Sequence, residues 1–378
     1  MEFETLQLLP MASSHRGTLS PGCQQCQEGK KLVLFVTGLC RFRCFYCPVS
    51  ERRNQLDVVY ANERLVRDDA DVLDEARAIG AAGTGITGGD PLGVIDRTVH
   101  YVQLLKSEFG PDHHIHLYTH EPNATKLERL ARAGLDEFRL HIPHYLWDSL
   151  DGHGAAYREV LAQAPAWGIR RGVEIPVLPE KQKELRRLLR ALDPLQLDFI
   201  NLNEMEFSAT NESALRGRGY RVDPWNGWGV KGSRATAERM VREMRLATPL
   251  HYCSSRFKDG VQLRQRLLRR AERTAPSFAE RTEDGTIRLG VVEAPDDLQL
   301  PRVVAAIGAV GHVPAGDYRV DEARRRVELA PDRLRRFARR LSFPAFAVEV
   351  YPTEDALEVE RTPLNSAAFP PDRVAGGR

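Results

Sequence analysis

The sequence predicts an α/β protein with a parallel sheet covered by helices, followed by a small α+β module. Three observations support this prediction. Apolar runs of strand length alternate with amphipathic runs of helix length from residue 31 to residue 246, as expected for successive βα units. Polar side chains recur with period two within several of these strands. The chain of 378 residues is long enough for one large domain and a smaller one.

The βα units follow one another in order along the chain. The predicted strands are 31–37, 84–87, 114–119, 138–142, 172–177 and 198–203. The predicted helices are 62–82, 94–108, 123–133, 146–166, 181–191 and 233–246. The first of these helices shows the expected spacing of apolar residues along one face, at Leu65, Val72, Leu73, Ala76 and Ile79.

The first strand leads directly into three cysteines, Cys40, Cys44 and Cys47, with the spacing C-x3-C-x2-C. Three thiols on one short loop cannot all pair as strain-free disulfides. Thiolates are the usual ligands of iron–sulfur clusters, so these three can bind one face of a cubane cluster and leave one iron open. The alternatives are buried thiols or a zinc loop, which agree less well with the preceding strand and the spacing.

This loop resembles the cluster loop of the radical S-adenosylmethionine (SAM) superfamily, in which an aromatic residue precedes the last cysteine, as Tyr46 does here. The fuller sequence is similar to a poorly characterised, mainly archaeal group related to pyruvate formate-lyase activating enzyme. The resemblance implies a [4Fe–4S] cluster on Cys40, Cys44 and Cys47, with SAM at the open iron and its adenine near Tyr46. It also implies a partial (β/α)6 barrel rather than a closed barrel of eight strands.

The later strands each carry polar residues on one face and apolar residues on the other. Since the helices must cover the apolar faces, the polar faces should line the lumen, whereas a packed barrel core would carry Val, Ile and Leu. We therefore expect a cavity for a polar ligand; the alternative is edge strands with one face in water. The polar residues on these faces are His114, His116, Tyr118, Arg139, His141, Glu174, Asn201 and Asn203. The last five of them are the candidate catalytic residues.

Two glycines and an aspartate, Gly88, Gly89 and Asp90, follow the second strand. Glycines let the backbone approach another backbone or a ligand closely. The resemblance implies that this element binds the amino group of the SAM methionine, although Asp90 replaces the usual glutamate. It also places Tyr118 and Thr119 among the cofactor contacts, and Arg139, His141 and Glu174 where superfamily strands contact SAM or substrate.

Three further cysteines, Cys23, Cys26 and Cys253, remain, and His251 lies two residues before the last of them. A C-x2-C pair with a distant Cys and His matches a Cys₃His structural zinc site. Without the histidine, three thiolates match a second, auxiliary iron–sulfur cluster. Free thiols are the third interpretation. The position of Cys26 just before the first strand favours a site at the N-terminal end of the barrel, unless the extension folds over the opposite end.

The predicted domains are an N-terminal extension with the C-x2-C knuckle (1–30), the barrel (31–280), an α+β module (284–362) and a disordered tail (363–378). A strongly basic helix is predicted over 259–275. A long loop over 207–232 leaves the sixth strand at the catalytic end of such barrels. Its aromatic and arginine residues favour a packed lid that meets an anionic or planar substrate: Trp225, Trp228, Tyr220, Arg216, Arg218 and Arg221.

Composition limits the classes of function. No apolar run approaches the length of a membrane span, and the N-terminus lacks a signal peptide's pattern, so we expect a cytoplasmic protein. In that reducing compartment six cysteines are more typical of metal ligands than of disulfides. The net charge of +2 does not imply nucleic acid, although arginines are dense on the helices near 186–190, 264–273 and 333–340.

We predict a radical SAM enzyme whose deoxyadenosyl radical takes a hydrogen atom from a polar substrate. A small metabolite is the favoured substrate, RNA is second, and a glycyl-radical protein, implied by the resemblance alone, is third. An electron donor such as flavodoxin or ferredoxin would reduce the cluster. The alternative function is a non-catalytic protein that binds nucleic acid through a zinc knuckle and basic helices.

Overall fold

The structure is a computed structural model that describes residues 5–368. It divides into two compact units, Met1–Gln265 and Arg266–Arg378. Of the predicted disordered tail, residues 369–378 lie outside the described residues. The residues before them are ordered, contrary to the prediction, because a strand extends to Pro363 and the buried Asn365 side chain donates to the Phe343 carbonyl at 2.9 Å. No described helix combines the length and the apolar character that a membrane crossing requires.

The first unit alternates strands with helices. Its strands are β1 (Gln7–Leu8), β2 (Ser14–Arg16), β3 (Lys31–Phe35), β4 (Tyr60–Ala61), β5 (Arg64–Leu65), β6 (Gly83–Thr87), β7 (His114–Thr119), β8 (Glu137–Leu140), β9 (Arg170–Val177), β10 (Phe199–Glu204) and β11 (Leu250–Cys253). Its helices are α1 (Pro21–Gln27), α2 (Asp69–Ile79), α3 (Ile95–Phe109), α4 (Ala124–Ala133), α5 (Ala155–Gln163), α6 (Gln182–Leu192), α7 (Glu212–Gly217), α8 (Ser233–Glu243) and α9 (Ser255–Phe257). A π-helical segment, Lys258–Leu263, then leads into α10 (Arg264–Thr274), which continues into the second unit.

The strands form one sheet with the order β1-β2-β11-β10-β9-β8-β7-β6-β3-β4-β5. The seven strands from β11 to β3 pair in parallel, and short antiparallel strands flank them. The two edges are not paired with each other within residues 5–368, so the predicted partial barrel is confirmed. The prediction included six parallel strands. It omitted the seventh, β11, because that strand has only four residues and His251 and Cys253 interrupt its apolar pattern.

The helices cover the apolar outer face of the sheet and bury it. α2 begins later than predicted because the Asp68 carboxylate accepts the Asp71 backbone N–H in a capping box. It ends at Gly80, whose φ of 57° is left-handed. The predicted helix over 146–166 is confined to α5, because turns containing Gly152 and Gly154 occupy its first half.

The N-terminal extension fills the lower part of the lumen. Its helix α1 is capped by Ser20, whose hydroxyl accepts the Cys23 backbone N–H at 3.2 Å. α1 contacts β3, β6 and β7. Gly22 packs so closely that an added Cβ would lie 2.6 Å from both Arg139 Nη2 and His116 Nδ1. The extension is therefore an integral part of the barrel, and only the upper part of the lumen is left for a cavity.

The second unit is an α+β module around an antiparallel sheet with the order β14-β15-β13-β16-β17. It starts earlier than the predicted residue 284, because Ala271 on α10 is buried against Leu289 and Val348 of the sheet. Its elements are β12 (Glu280–Arg281), β13 (Ile287–Glu293), α11 (Leu300–Gly311), β14 (Tyr318–Asp321), β15 (Arg326–Leu329), α12 (Pro331–Arg335), β16 (Ala345–Val350) and β17 (Glu358–Pro363).

Candidate active site

The three loop cysteines, Cys40, Cys44 and Cys47, are half-buried and line one cavity beyond the end of β3. A turn in which the Cys47 N–H donates to the Cys44 carbonyl at 3.1 Å holds two of them together. The Cys40 sulfur accepts the Phe42 N–H at 3.4 Å. Burial, with smaller contributions from Asp90, Cys44 and Cys47, raises the pKa of Cys40 to about 11. A bound metal stabilises neighbouring thiolates, so this donor set fits an iron–sulfur cluster.

Two glycines dock the end of β6 onto the cysteine loop. The Gly89 N–H donates to the Thr37 carbonyl at 2.7 Å, and the Asp90 N–H donates to the Leu39 carbonyl at 3.1 Å. An added Cβ on Gly88 would lie 2.6 Å from the Thr37 oxygen, and one on Gly89 would lie 2.6 Å from the Leu39 carbonyl carbon. Only glycine permits this approach. Both glycines face the cavity beside the cysteines.

Asp90 lies outside the cavity wall, which differs from the predicted contact with SAM. Its carboxylate accepts hydrogen bonds from the Thr119 hydroxyl at 2.7 Å, the His120 N–H at 3.0 Å and the Leu92 N–H at 3.1 Å. Burial raises its pKa, and the hydrogen bond from Thr119 opposes that rise. Because both carboxylate oxygens are engaged within the protein, Asp90 positions the residues that follow β7.

Two histidines beyond neighbouring strands lie beside Cys44. The ring centroids of His120 and His141 are 4.1 Å apart, and the Tyr46 hydroxyl lies 2.9 Å from His141 Nε2. The ligand atoms of Cys44, His120 and His141 all lie within 4.8 Å of one another. Burial lowers the pKa of His120 to about 4 and also lowers that of His141, so both imidazoles are neutral at pH 7. A neutral imidazole offers one donor and one acceptor nitrogen.

Arg139 and Glu174 form the centre of a polar network at the cavity floor. The Arg139 guanidinium donates to the Tyr118 hydroxyl at 2.9 Å and to the Glu174 carboxylate at 3.1 Å. Glu174 also accepts from Asn201 at 3.1 Å and from Asn203 at 2.7 Å. Asn201 is the register partner of Glu174 between β10 and β9, so their side chains share the inner face of the sheet. The buried charges therefore have partners and hold a fixed geometry.

Together these groups enclose a cavity of about 550 Å³. The predicted site residues in its wall are Cys40, Tyr46, Cys44, Cys47, Gly88, Gly89, Tyr118, Thr119, Arg139, His141, Glu174 and Asn203. Asn201 lies behind the wall. The wall also contains residues that the sequence analysis did not select: Phe42, His120, Glu204, Met205, Glu206 and Lys258. His120 continues the period-two pattern of His114, His116 and Tyr118, so it could have been found by extending that pattern. Glu204 falls on the apolar side of the alternation in β10, and nothing in the pattern marks Lys258.

The loop over 207–232 packs against the cysteine loop, in agreement with a packed lid. The Asn211 side chain donates to the Tyr46 carbonyl at 3.2 Å. The Tyr220 ring stacks on Phe45 with centroids 6.1 Å apart, and the Arg218 guanidinium lies 4.4 Å from the Phe45 centroid. The two tryptophans of the loop differ from the expectation, since they lie partly exposed rather than within the packed layer.

The remaining cysteines lie inside the barrel. Cys23 and Cys253 are only 6% and 7% exposed, and Cys26 is on the same short helix as Cys23. His251 Nδ1 lies 3.2 Å from the Asn201 side-chain oxygen. Among residues 5–368, the set of Cys44 and the two histidines is the one group of three or more His, Cys, Asp or Glu that converges within 4.8 Å. The predicted Cys₃His group is therefore not assembled around a single point.

Comparison with known proteins gives family matches for both units. The radical SAM superfamily matches residues 34–192, and a domain of unknown function (DUF8061) matches residues 285–364. A protein of Methanocaldococcus jannaschii, provisionally named a glycyl-radical enzyme activating enzyme, is 37% identical over 361 residues. That match covers 92% of this chain and 93% of the relative.

Solved structures match at much lower similarity. Streptococcus suis SuiB bound to S-adenosylmethionine is 13% identical with a TM-score of 0.41, over 60% of this chain and 50% of that one. Methylornithine synthase (PylB) is 14% identical with a TM-score of 0.39, over 58% of this chain and 66% of that one. This chain thus spans about half to two thirds of the length of these two structures.

Proposed function

This chain belongs to the radical SAM superfamily, and from that premise we propose that Cys40, Cys44 and Cys47 hold a [4Fe–4S] cluster whose open iron binds SAM. The convergence of these cysteines with Gly88 and Gly89 on one cavity carries the proposal. Cluster and SAM would supply a 5′-deoxyadenosyl radical that takes a hydrogen atom from the substrate. The protein's own part is to orient the reactants and exclude water. Membership of this enzyme superfamily argues against the alternative function, a non-catalytic protein that binds nucleic acid.

The cavity wall supports separate roles for its residues. The backbone of Gly88 and Gly89 would contact the methionyl group of SAM, and the Tyr46 ring would contact the adenine. His120 and His141, neutral at pH 7, would each offer one hydrogen-bond donor and one acceptor beside the cofactor rather than repel its sulfonium charge. Since the Asp90 carboxylate is hydrogen-bonded within the protein, the backbone would recognise the SAM amino group.

We place the substrate at Asn203, Glu206 and Lys258. The Lys258 ammonium lies 3.5 Å from the Glu206 carboxylate, so the wall offers one cation and one anion side by side. This pair suits a small polar substrate that carries both charges. A cavity of about 550 Å³ is within the range of small-molecule sites. A flavodoxin or ferredoxin would deliver the electron.

The two other substrate classes have weaker support. Two of the arginines that a polyanion groove would use are paired with carboxylates: Arg186 lies 2.6 Å from Glu243, and Arg187 lies 2.7 Å from Asp148. These pairs favour solvated helix faces over an RNA groove. A glycyl-radical protein is supported by the name of the M. jannaschii relative. Such a partner would insert one residue into the same cavity.

Deuterium transfer distinguishes the three classes. Cells that make this protein natively are grown on a deuterated carbon source and separated into small-molecule, RNA and protein fractions. Each fraction is added to anaerobically reconstituted protein with SAM and dithionite, and the 5′-deoxyadenosine is analysed by mass spectrometry. We expect deuterium in 5′-deoxyadenosine with the small-molecule fraction. Deuterium with only the RNA or only the protein fraction would overturn the substrate assignment, and a complete lack of 5′-deoxyadenosine would overturn the cofactor assignment.

A further inference from the structure

Three cysteines outside the cysteine loop come together inside the barrel. Cys23 and Cys26 lie on successive turns of α1, and Cys253 ends β11 in register with Asn203, which lines the cavity. α1 also contacts the π-helical segment that follows β11. The Cys23 sulfur lies 3.4 Å from the Asn201 amide nitrogen, and Asn201 is two residues from Asn203 on the same face of β10, so α1 and the end of β11 meet in one region.

The surroundings of these sulfurs supply hydrogen-bond donors. The Arg139 guanidinium and the Asn201 amide each donate to the Cys23 sulfur at 3.4 Å. The Gln262 amide donates to the Cys253 sulfur at 3.7 Å, from the π-helical segment, a type of local structure that is frequent at functional sites. A neutral thiol is a weak acceptor, whereas metal-bound thiolates are regularly stabilised by N–H donors. The donors therefore suit sulfurs that carry negative charge.

The four candidate ligand atoms do not converge as a single zinc ion requires. A zinc ion would draw its four ligand atoms to within about 4 Å of one another, because each lies about 2.0–2.3 Å from the metal. Cys23, Cys26, Cys253 and His251 form no such group in the part of the chain that the structure describes. A cubane binds each thiolate at a different iron, so its ligand sulfurs lie farther apart.

We propose that Cys23, Cys26 and Cys253 bind a second [4Fe–4S] cluster directly beneath the cavity. Arg139 separates the two sites, since it lines the cavity floor and also donates to Cys23. Of the three interpretations that the sequence left open, a zinc site, an auxiliary cluster and free thiols, this proposal takes the auxiliary cluster. This inference goes beyond the proposed function, because it does not depend on what the cysteine loop binds. Three thiolates leave the fourth iron of this cluster open.

Iron analysis of two triple variants tests the proposal. Wild type, Cys40→Ala/Cys44→Ala/Cys47→Ala and Cys23→Ala/Cys26→Ala/Cys253→Ala are reconstituted anaerobically, and iron, sulfide and zinc are measured per chain. We expect about eight irons in wild type and about four in each variant. The first variant should keep an electron paramagnetic resonance signal that SAM does not alter. The second should still form 5′-deoxyadenosine.

The first variant decides the question even where the second does not fold, because its substitutions lie in the cysteine loop and leave α1 and β11 intact. Circular dichroism checks its fold. Iron absent from the folded first variant would overturn the second cluster, as would about one zinc per chain in its place. A second cluster without 5′-deoxyadenosine formation by wild type would refute the proposed function and leave this inference standing.

Discussion

Gly89→Ala tests whether the docking of β6 onto the cysteine loop positions the cluster ligands. An added Cβ would lie 2.6 Å from the Leu39 carbonyl carbon and 2.7 Å from the Gly38 carbonyl oxygen. Both are backbone atoms, so the clash is relieved only by moving the peptide that precedes Cys40. Overpacking of this kind lowers the unfolding free energy by about 1–3 kcal/mol. That cost lowers the melting midpoint of a unit of this size by roughly 2–10 °C.

Gly93→Ala is the matched control, because a Cβ at residue 93 would meet no atom within 4 Å. Both variants are compared with wild type by thermal circular dichroism, iron content and the rate of 5′-deoxyadenosine formation. We expect Gly89→Ala to melt earlier and to cleave SAM at least about tenfold more slowly, because small displacements of reacting groups are costly. Equal midpoints and equal rates for the two variants would refute the reasoning.

Three further predictions concern buried polar groups. Glu174→Gln removes one of two charged partners of Arg139, and Glu137 remains 2.7 Å away, so the unfolding free energy in urea should fall by about 1–2 kcal/mol; a fall below about 0.5 kcal/mol would contradict this. Tyr46→Phe removes the 2.9 Å contact with His141, so the unfolding free energy should fall by about 1 kcal/mol while the iron content is unchanged. Loss of the cluster would contradict this prediction. Burial lowers the pKa of His113 to about 4, so the unfolded chain binds the extra proton as pH falls from about 6.5 to about 4 and stability falls with it. In His113→Asn the fall in unfolding free energy between about pH 6.5 and about pH 4 should be smaller by up to about 3 kcal/mol. An unchanged pH dependence of unfolding would count against this prediction.

The inner wall of the barrel was accessible from the sequence because strand alternation fixes which side chains share a face. The observed β7 has the predicted bounds, 114–119, and Tyr118 is the register partner of Arg139 on β8. Asn201 and Glu174 are paired in the same way. Each strand from β7 to β10 contributes one to three polar residues to the same side, so the lumen could be predicted without knowing the sheet order.

The helix at the bottom of the lumen could not be predicted in this way. α1 has seven residues, begins with Pro21 and Gly22, and is too short to be stable alone. It is stabilised by its Ser20 cap and by packing against inner side chains such as Arg139. Tertiary contacts therefore decide its position, and they also bring Cys23 under the cavity.

The remaining omissions lie where the strand pattern ends. Glu204 ends β10 on the apolar side of its alternation, and Lys258 opens the π-helical segment, so neither continues a polar run. The role of Asp90 depends on Thr119 and His120, which are 29 and 30 residues away in sequence. Contacts of this range become visible only once the sheet is assembled.

The central claim is that Cys40, Cys44 and Cys47 hold the cluster that cleaves SAM. Its most direct test is the yield of 5′-deoxyadenosine from SAM and dithionite, measured for anaerobically reconstituted wild type and for the Cys40→Ala/Cys44→Ala/Cys47→Ala variant. We predict product from wild type and none above background from a folded variant. Product from the variant at the wild-type rate, or none from wild type carrying its full complement of iron, would contradict the claim.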